Sequence, residues 1–264
     1  MGGNEQEQRQ SIVEVGRLVF QKNWVAASDG NISIRLDENQ ILCTPSGVCK
    51  GMMRPEDLNV CDLDGKRISG RLECTTEIAM HTTIYRLRPD VMSVVHAHPP
   101  ISTGFAAAGR ALNLAILPEV IVSLGCVPLA AYGMPGTPEL TEGMLPYIPK
   151  CDAMLLESHG VVCYGEDVFK AYARMEKVEH LAQITLIAEL LGGPKVLPRA
   201  EVQRLFGARV RYGIRSRTIF EPGFPVVAED LASARPRYQL TREDIADIVD
   251  EALRAQREST PRGR

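Results

Sequence analysis

Two histidines stand two positions apart in the run SVVHAHPP, directly after a pair of valines: His96 and His98. On a strand successive side chains alternate faces, so both imidazoles project the same way and Ala97 the other. A catalytic zinc takes three protein ligands and keeps a fourth position open. A third imidazole stands in LLESHGVVCYG, where His159 ends an apolar run at a glycine turn. Spacing alone admits two readings: a three-histidine site for a divalent metal, or satisfied histidines of a core or surface. The other two histidines are weaker ligand candidates. His180 lies inside the helical sequence RMEKVEHLAQI, and His81 sits on a helix four residues after Glu77.

Glu77 is the most informative carboxylate. TTEIAMH puts it in the first turn of a helix, after Thr75 and Thr76, where free backbone N–H groups also bind anions. It reads either as an acid serving chemistry or as a favourable charge on the helix dipole. Two glycine-bearing turns, SDGNIS and TPSG, add small residues and hydroxyls at points where backbone N–H groups can approach a phosphate.

These residues need elements to position them. Ile12, Val15, Leu18 and Val19 follow helical spacing, and GNISIRLDENQILCTP reads as a hairpin of strands Asn31 to Arg35 and Gln40 to Cys43. TTEIAMHTTIYRLRPD predicts a helix that Pro89 closes; VMSVVHAH predicts a short buried strand, and STGFAAAGR a small-residue helix. LPEVIVSLG and CVPLAAYG read as extended segments. A helix opens near Thr137 or Pro138, AMLLESHGVVCYG reads as a strand, and a long helix runs from about Asp167 to Leu191. After a break at GGPKVLP, FEPGFPVVAEDLASARPR reads as a loop-rich arm. TREDIADIVDEALRAQR opens with Thr241 and Asp244 in capping-box spacing and predicts a terminal amphipathic helix.

Composition narrows the partners. The 264 residues carry a formal net charge of -3, with 45% hydrophobic and 24% charged residues, an ordinary globular balance that favours small molecules over nucleic acid or an anionic membrane. The most apolar stretch is broken by Pro118 and Glu119 before it reaches the roughly 20 residues of a membrane span. Seven cysteines without a CxxC pair suggest neither a disulfide framework nor a thiolate zinc site. With no signal-peptide pattern in MGGNEQEQRQ, a reducing cytoplasm is the expected setting.

In this order, GNIS, TPSG, TTE before a helix, VVHAHP, and ESHG before a long helix resemble the class II aldolase and adducin head-domain family over about residues 10 to 215. The resemblance implies an α/β fold, three-layer α/β/α around a central, largely antiparallel mixed sheet. It also implies a homotetramer of fourfold symmetry with active sites between neighbouring subunits. It assigns His96, His98 and His159 as zinc ligands and Glu77 as the acid that exchanges the proton on the substrate carbon. Asn31, Ser46, Gly47, Thr75 and Thr76 match the positions that hold substrate phosphate. Zinc would stabilise the enediolate left when a carbon–carbon bond beside a ketone breaks, without a lysine Schiff base. The tyrosine that relatives carry after the HxH strand has no counterpart in AILPEVIVSLG; there Glu119 stands either as a replacement acid or as a residue facing solvent. Near the end of the match, Tyr212 in VRYGIR falls at a tyrosine position.

The leading expectation is a zinc-dependent aldolase splitting a ketose 1-phosphate into dihydroxyacetone phosphate and an aldehyde. The alternatives on the same metal platform are a sugar-phosphate dehydratase, a decarboxylase and a pentulose-phosphate 4-epimerase. The adducin-like branch, a non-enzymatic assembly domain, lacks the histidines present here. Residues 10–215 form the expected catalytic domain. Residues 216–264 form an arm and helix packed on it or on a neighbouring subunit.

Overall fold

The computed structural model describes residues 4–214, 216–221 and 224–233. Contacts divide the chain into a unit over Met1–Ala228 and a second over Glu229–Arg264. Of the second, residues 229–233 are described, as the end of helix α8 (Ala228–Ser233). The terminal helix expected around Thr241 lies outside the described residues.

In the larger unit α1 (Glu5–Gln21) opens at Asn4, whose side chain accepts the Gln6 N–H. The expected hairpin forms from β1 (Asn31–Arg35) and β2 (Gln40–Cys43), its turn held by the Asp37 carboxylate, which accepts the N–H groups of Asn39 and Gln40. Next come β3 (Asn59–Asp62), β4 (Arg67–Ser69), α2 (Ile78–Leu87), β5 (Ser93–Ala97) and α3 (Pro100–Ala107). Then follow α4 (Pro118–Ser123), β6 (Leu129–Ala130), α5 (Pro138–Met144), β7 (Ala153–Leu156), β8 (Gly160–Gly165), α6 (Val168–Leu190) and α7 (Arg199–Arg211).

The strands form one sheet in the order β4-β3-β2-β1-β5-β8-β7-β6, with every pair antiparallel except β6 with β7. Side-chain alternation sorts the core onto its two faces. Ile32, Ile34, Val95, Ala97, Leu155, Val161 and Cys163 pack in one cluster with residues of α1, α3 and α6. Their chain neighbours Val94, Met154, Leu156, Val162 and Tyr164 pack in another with Met80, Ile84 and Tyr85 of α2 and Leu140 and Met144 of α5. The result is the expected α/β/α layering around a largely antiparallel mixed sheet. His96 shares its parity with Val94, and Asn31 and Ser33 oppose the parity of Ile32 and Ile34. All three therefore lie on the α2 face.

Four local expectations are corrected. LPEVIVSLG is not extended but contains α4: Pro118 sits in the first turn, where its fixed φ suits a helix, and Val120 and Ile121 are buried. The β-branched run imitates a strand, and packing against α7 decides otherwise. In CVPLAAYG the strand is confined to Leu129–Ala130. AMLLESHGVVCYG is two antiparallel strands rather than one, folded back between Leu156 and Gly160. Ser158 takes a positive φ of 55° at the reversal. Cys43, Cys61 and Cys74 gather their sulfurs in one cluster, with the Cys43 sulfur 3.4 Å from that of Cys61. Sequence spacing hides this because the three meet only through β2–β3 pairing and the bridge between Pro45 and Cys74. The arm also adds to the larger unit beyond residue 215: Val226 bridges Leu114, and Val227 packs with Ala115, Ile121 and Val202. No helix among the described residues is long and apolar enough to cross a membrane.

Candidate active site

The three sequence-predicted histidines meet. His96 comes from β5, His98 from one residue past its end, and His159 from the β7–β8 turn. Their ring centroids stand 5.0, 4.7 and 5.2 Å apart. The Nε2 atoms of His96 and His98 are 3.2 Å apart, close to the about 3.4 Å between two ligands of one tetrahedral zinc with Zn–N near 2.1 Å. Two glycines allow this crowding. A Cβ at Gly160 would come within 2.5 Å of the His98 ring and 2.7 Å of the Ala97 carbonyl. Gly30, at φ 72°, would meet the His96 carbonyl at 2.8 Å.

The donor chemistry fits a cation. His96 Nδ1–H donates to the Val161 carbonyl at 2.9 Å, so the neutral ring turns a bare Nε2 lone pair to the centre. The Asp29 carboxylate lies 3.8 Å from His98 Nδ1 on the far side of that ring. Burial pushes His96 down to about 3, and it lowers His98 as well. Glu77 faces the same point, with Oε2 3.3 Å from His96 Nε2 and Oε1 3.2 Å from His159 Nε2. Glu77 Oε1 is buried without a hydrogen-bond partner, as is His159 Nδ1. Lone pairs and a carboxylate that converge in a buried space need a positive charge between them. His96, His98 and His159 form the donor set that can hold a divalent metal.

Glu77 is the N-cap of α2 rather than a residue of its first turn, and its side chain makes no capping hydrogen bond. It turns instead to the histidines and to Asn31, whose Nδ2–H donates to Oε2 at 2.7 Å. Burial raises the proton affinity of this carboxyl, but the adjoining His96 and His159 rings and the Asn31 N–H outweigh it and hold it ionised, below the usual carboxylate range. Asn31 lies directly opposite His96 in the β1–β5 register.

The residues expected to hold phosphate divide. Ser46, Gly47 and Thr76 are exposed, while Thr75 is buried and its hydroxyl accepts the Glu77 N–H at 3.3 Å. The two turns are joined, since Ser46 N–H donates to the Glu73 carbonyl. The Asn31 amide is engaged by Glu77 and, through Oδ1, by His81 Nε2 at 2.5 Å. Glu119 is exposed in the first turn of α4, and Tyr212 is the exposed C-cap residue of α7; neither has a hydrogen bond from its side chain to the histidines or Glu77. Sequence reasoning missed the buried residues behind Glu77: His81, Ser33 and Tyr85. The signal was available in the i, i+4 spacing of Glu77 and His81 and the strand alternation of Asn31 and Ser33.

Known proteins resemble this chain in sequence and in fold. Residues 10–186 match the model of the class II aldolase and adducin N-terminal domain. An L-fuculose phosphate aldolase of Methanococcus maripaludis is 34% identical over 176 residues, covering 67% of this chain and 94% of that protein. A 3-oxo-tetronate 4-phosphate decarboxylase of Pectobacterium atrosepticum is 33% identical over 197 residues, covering 73% and 88%. The solved structure of an L-fuculose 1-phosphate aldolase superposes with a TM-score of 0.71 at 25% identity, over 78% of this chain and 97% of that one. With the family model matched over residues 10–186 and relatives above 30% identity over two thirds of the chain, the chain belongs to the class II aldolase and adducin N-terminal domain family.

Proposed function

We propose that this protein is a zinc-dependent aldehyde-lyase that splits a ketose 1-phosphate into dihydroxyacetone phosphate and an aldehyde. The observation that carries the reading is the Glu77 carboxylate, 3.2 to 3.3 Å from two of three converging imidazoles and with one buried oxygen unpartnered. A zinc ion on His96, His98 and His159, when bound, supplies Lewis-acid stabilisation for negative charge developing on substrate oxygens. Glu77 moves the proton. In the synthetic direction its ionised Oε1 removes a proton from the substrate carbon; in cleavage the proton released from the substrate hydroxyl as the aldehyde forms passes to Oε1 and from there to the carbon left electron-rich. The joined turns at Ser46–Gly47 and Thr75–Thr76 hold the phosphate and so fix which carbon faces Glu77. Glu119 replaces the tyrosine that relatives contribute to a neighbouring subunit's site within a homotetramer and serves the leaving aldehyde, and Tyr212, which matches a family tyrosine position, is a further catalytic residue. The Tyr212 role rests on the family resemblance; Glu119 stands where that resemblance breaks. Residues 10–215 carry the catalytic domain, and a cytoplasmic setting suits a sugar-phosphate substrate.

A second reading is decarboxylation of a 3-oxo acid phosphate, favoured by the decarboxylase relative. Loss of CO2 beside a ketone leaves the same kind of electron-rich carbon, and Glu77 would pass it a proton taken up from solvent. The test is to incubate zinc-loaded protein with a panel of phosphorylated ketoses and 3-oxo acids while following dihydroxyacetone phosphate and CO2 separately. Dihydroxyacetone phosphate from a ketose supports the first reading; CO2 alone replaces it with the second. Sedimentation tests the assembly, and full activity in a monomer overturns the shared site.

A further inference from the structure

Behind Glu77 runs a buried line of polar side chains that the proposed chemistry does not touch. Tyr85 OH lies 2.8 Å from Ser33 Oγ, which lies 2.7 Å from His81 Nδ1. His81 Nε2 meets Asn31 Oδ1, and Asn31 Nδ2 meets Glu77 Oε2. His81, Ser33 and Tyr85 are each no more than 1% exposed. Hydrogen-bond chemistry fixes the direction of every link, starting from Asn31 Nδ2, which can only donate, and Oδ1, which can only accept. A carboxylate only accepts, so Asn31 must show it the amide N–H. Asn31 then offers its carbonyl to His81, so Nε2 carries the imidazole proton. Burial pushes His81 down to about 4, so the ring is neutral near pH 7 and its Nδ1 accepts from Ser33. Ser33 in turn accepts from Tyr85.

We propose that His81 is a positioning residue for Glu77, acting through Asn31. By donating from Nε2 it locks the Asn31 amide with its N–H toward Glu77 Oε2. That tether commits one carboxylate oxygen and leaves Oε1 as the proton carrier. The inference deepens the reading of Glu77 as the proton-transfer group and rests on it. Without the His81 donor the Asn31 carbonyl is left buried and unpaired, the amide loses its preferred orientation, and the carboxylate loses its fixed direction.

Two measurements test it independently. In wild-type protein labelled with 15N-histidine, His81 should be the neutral Nε2–H tautomer near pH 7; the Nδ1–H tautomer or an imidazolium overturns the proposal whatever the enzyme's substrate. His81→Phe should lower kcat and the hydrogen–deuterium exchange of dihydroxyacetone phosphate by ~10 to 100-fold, with zinc content and KM near wild type. His81→Gln, whose amide can place an N–H near the Nε2 position, should recover most of the loss. In a Glu77→Gln background His81→Phe should add nothing, because its effect passes through the missing carboxylate. Equal losses in His81→Phe and His81→Gln, or an additive loss with Glu77→Gln, overturn the proposal. If wild-type protein shows the tautomer but exchanges no proton with any ketose phosphate, the aldolase reading fails instead.

Discussion

At the level of single residues, Glu77 is decided by where its side chain points. A carboxylate at a helix N-terminus that serves only the dipole contributes under about 1 kcal/mol and faces the free N–H groups. Glu77 makes no capping bond and faces two imidazoles. Glu77→Gln should therefore keep fold and zinc but lose about 10² to 10⁴ in turnover and proton exchange. Turnover within a factor of a few of wild type, in a preparation of normal zinc content, would remove it from the chemistry. His81 yields a prediction about acid. Its folded pKa is depressed to about 4 from 6.5. Between these values the unfolded chain binds the extra proton and the folded one refuses it, so stability is full above 6.5 and falls as the pH drops toward 4. The shift corresponds to about 3 kcal/mol at most. His96, pushed down to about 3, acts in the same direction. Urea midpoints of metal-free protein should fall from pH 7 to pH 4, and His81→Phe should flatten part of that fall. A pH-independent midpoint would mean that the buried rings admit protons freely.

At the level of elements, the site depends on how closely β5 and the β7–β8 turn approach. Gly160 leaves the room, and the conflict for any larger residue is with the Ala97 backbone carbonyl as well as the His98 ring. Gly160→Ala should cost about 1 to 3 kcal/mol of stability and weaken zinc binding by ~10 to 100-fold through the displaced imidazole. Calorimetric titration of the folded variant checks it, and wild-type affinity would show that the turn relaxes without moving His98. The same elements explain what could be read in advance. Period-two alternation on β5 put His96 and His98 on one side, and glycine marked the turn that carries His159. The strand reading of LPEVIVSLG failed because Val120, Ile121 and Val122 have strand-like branching, while Pro118 at the first turn and packing on α7 favour a helix. The line from Tyr85 to Glu77 was hidden for another reason. Local spacing pairs Glu77 with His81 and Asn31 with Ser33, but joining the two pairs needs the docking of α2 on the β1 face, which local spacing does not carry.

For the whole molecule, the histidine site ties together parts of the chain that fold from distant positions. His96 sits on β5 and His98 just past its end, His159 follows β7, and Glu77 heads α2 on the opposite side of β5 in sequence. An ion that binds only when these elements are assembled stabilises the folded state by mass action, about 2.7 kcal/mol at a free concentration 100 times Kd. For a unit of this size each kcal/mol moves Tm by about 2 to 4 °C, so zinc should raise Tm by ~5 to 10 °C over chelator-treated protein. The gain should require all three imidazoles. His159→Ala leaves two nitrogens on one strand end, which bind the ion weakly and no longer join β5 to the β7–β8 turn. Its Tm should be nearly the same with zinc and with chelator. Manganese or cobalt should give smaller shifts on the same three ligands, since imidazole sites follow the general order of divalent affinities. A full zinc-dependent shift in His159→Ala would place the ion elsewhere and dissolve the link between metal, Glu77 and proton transfer.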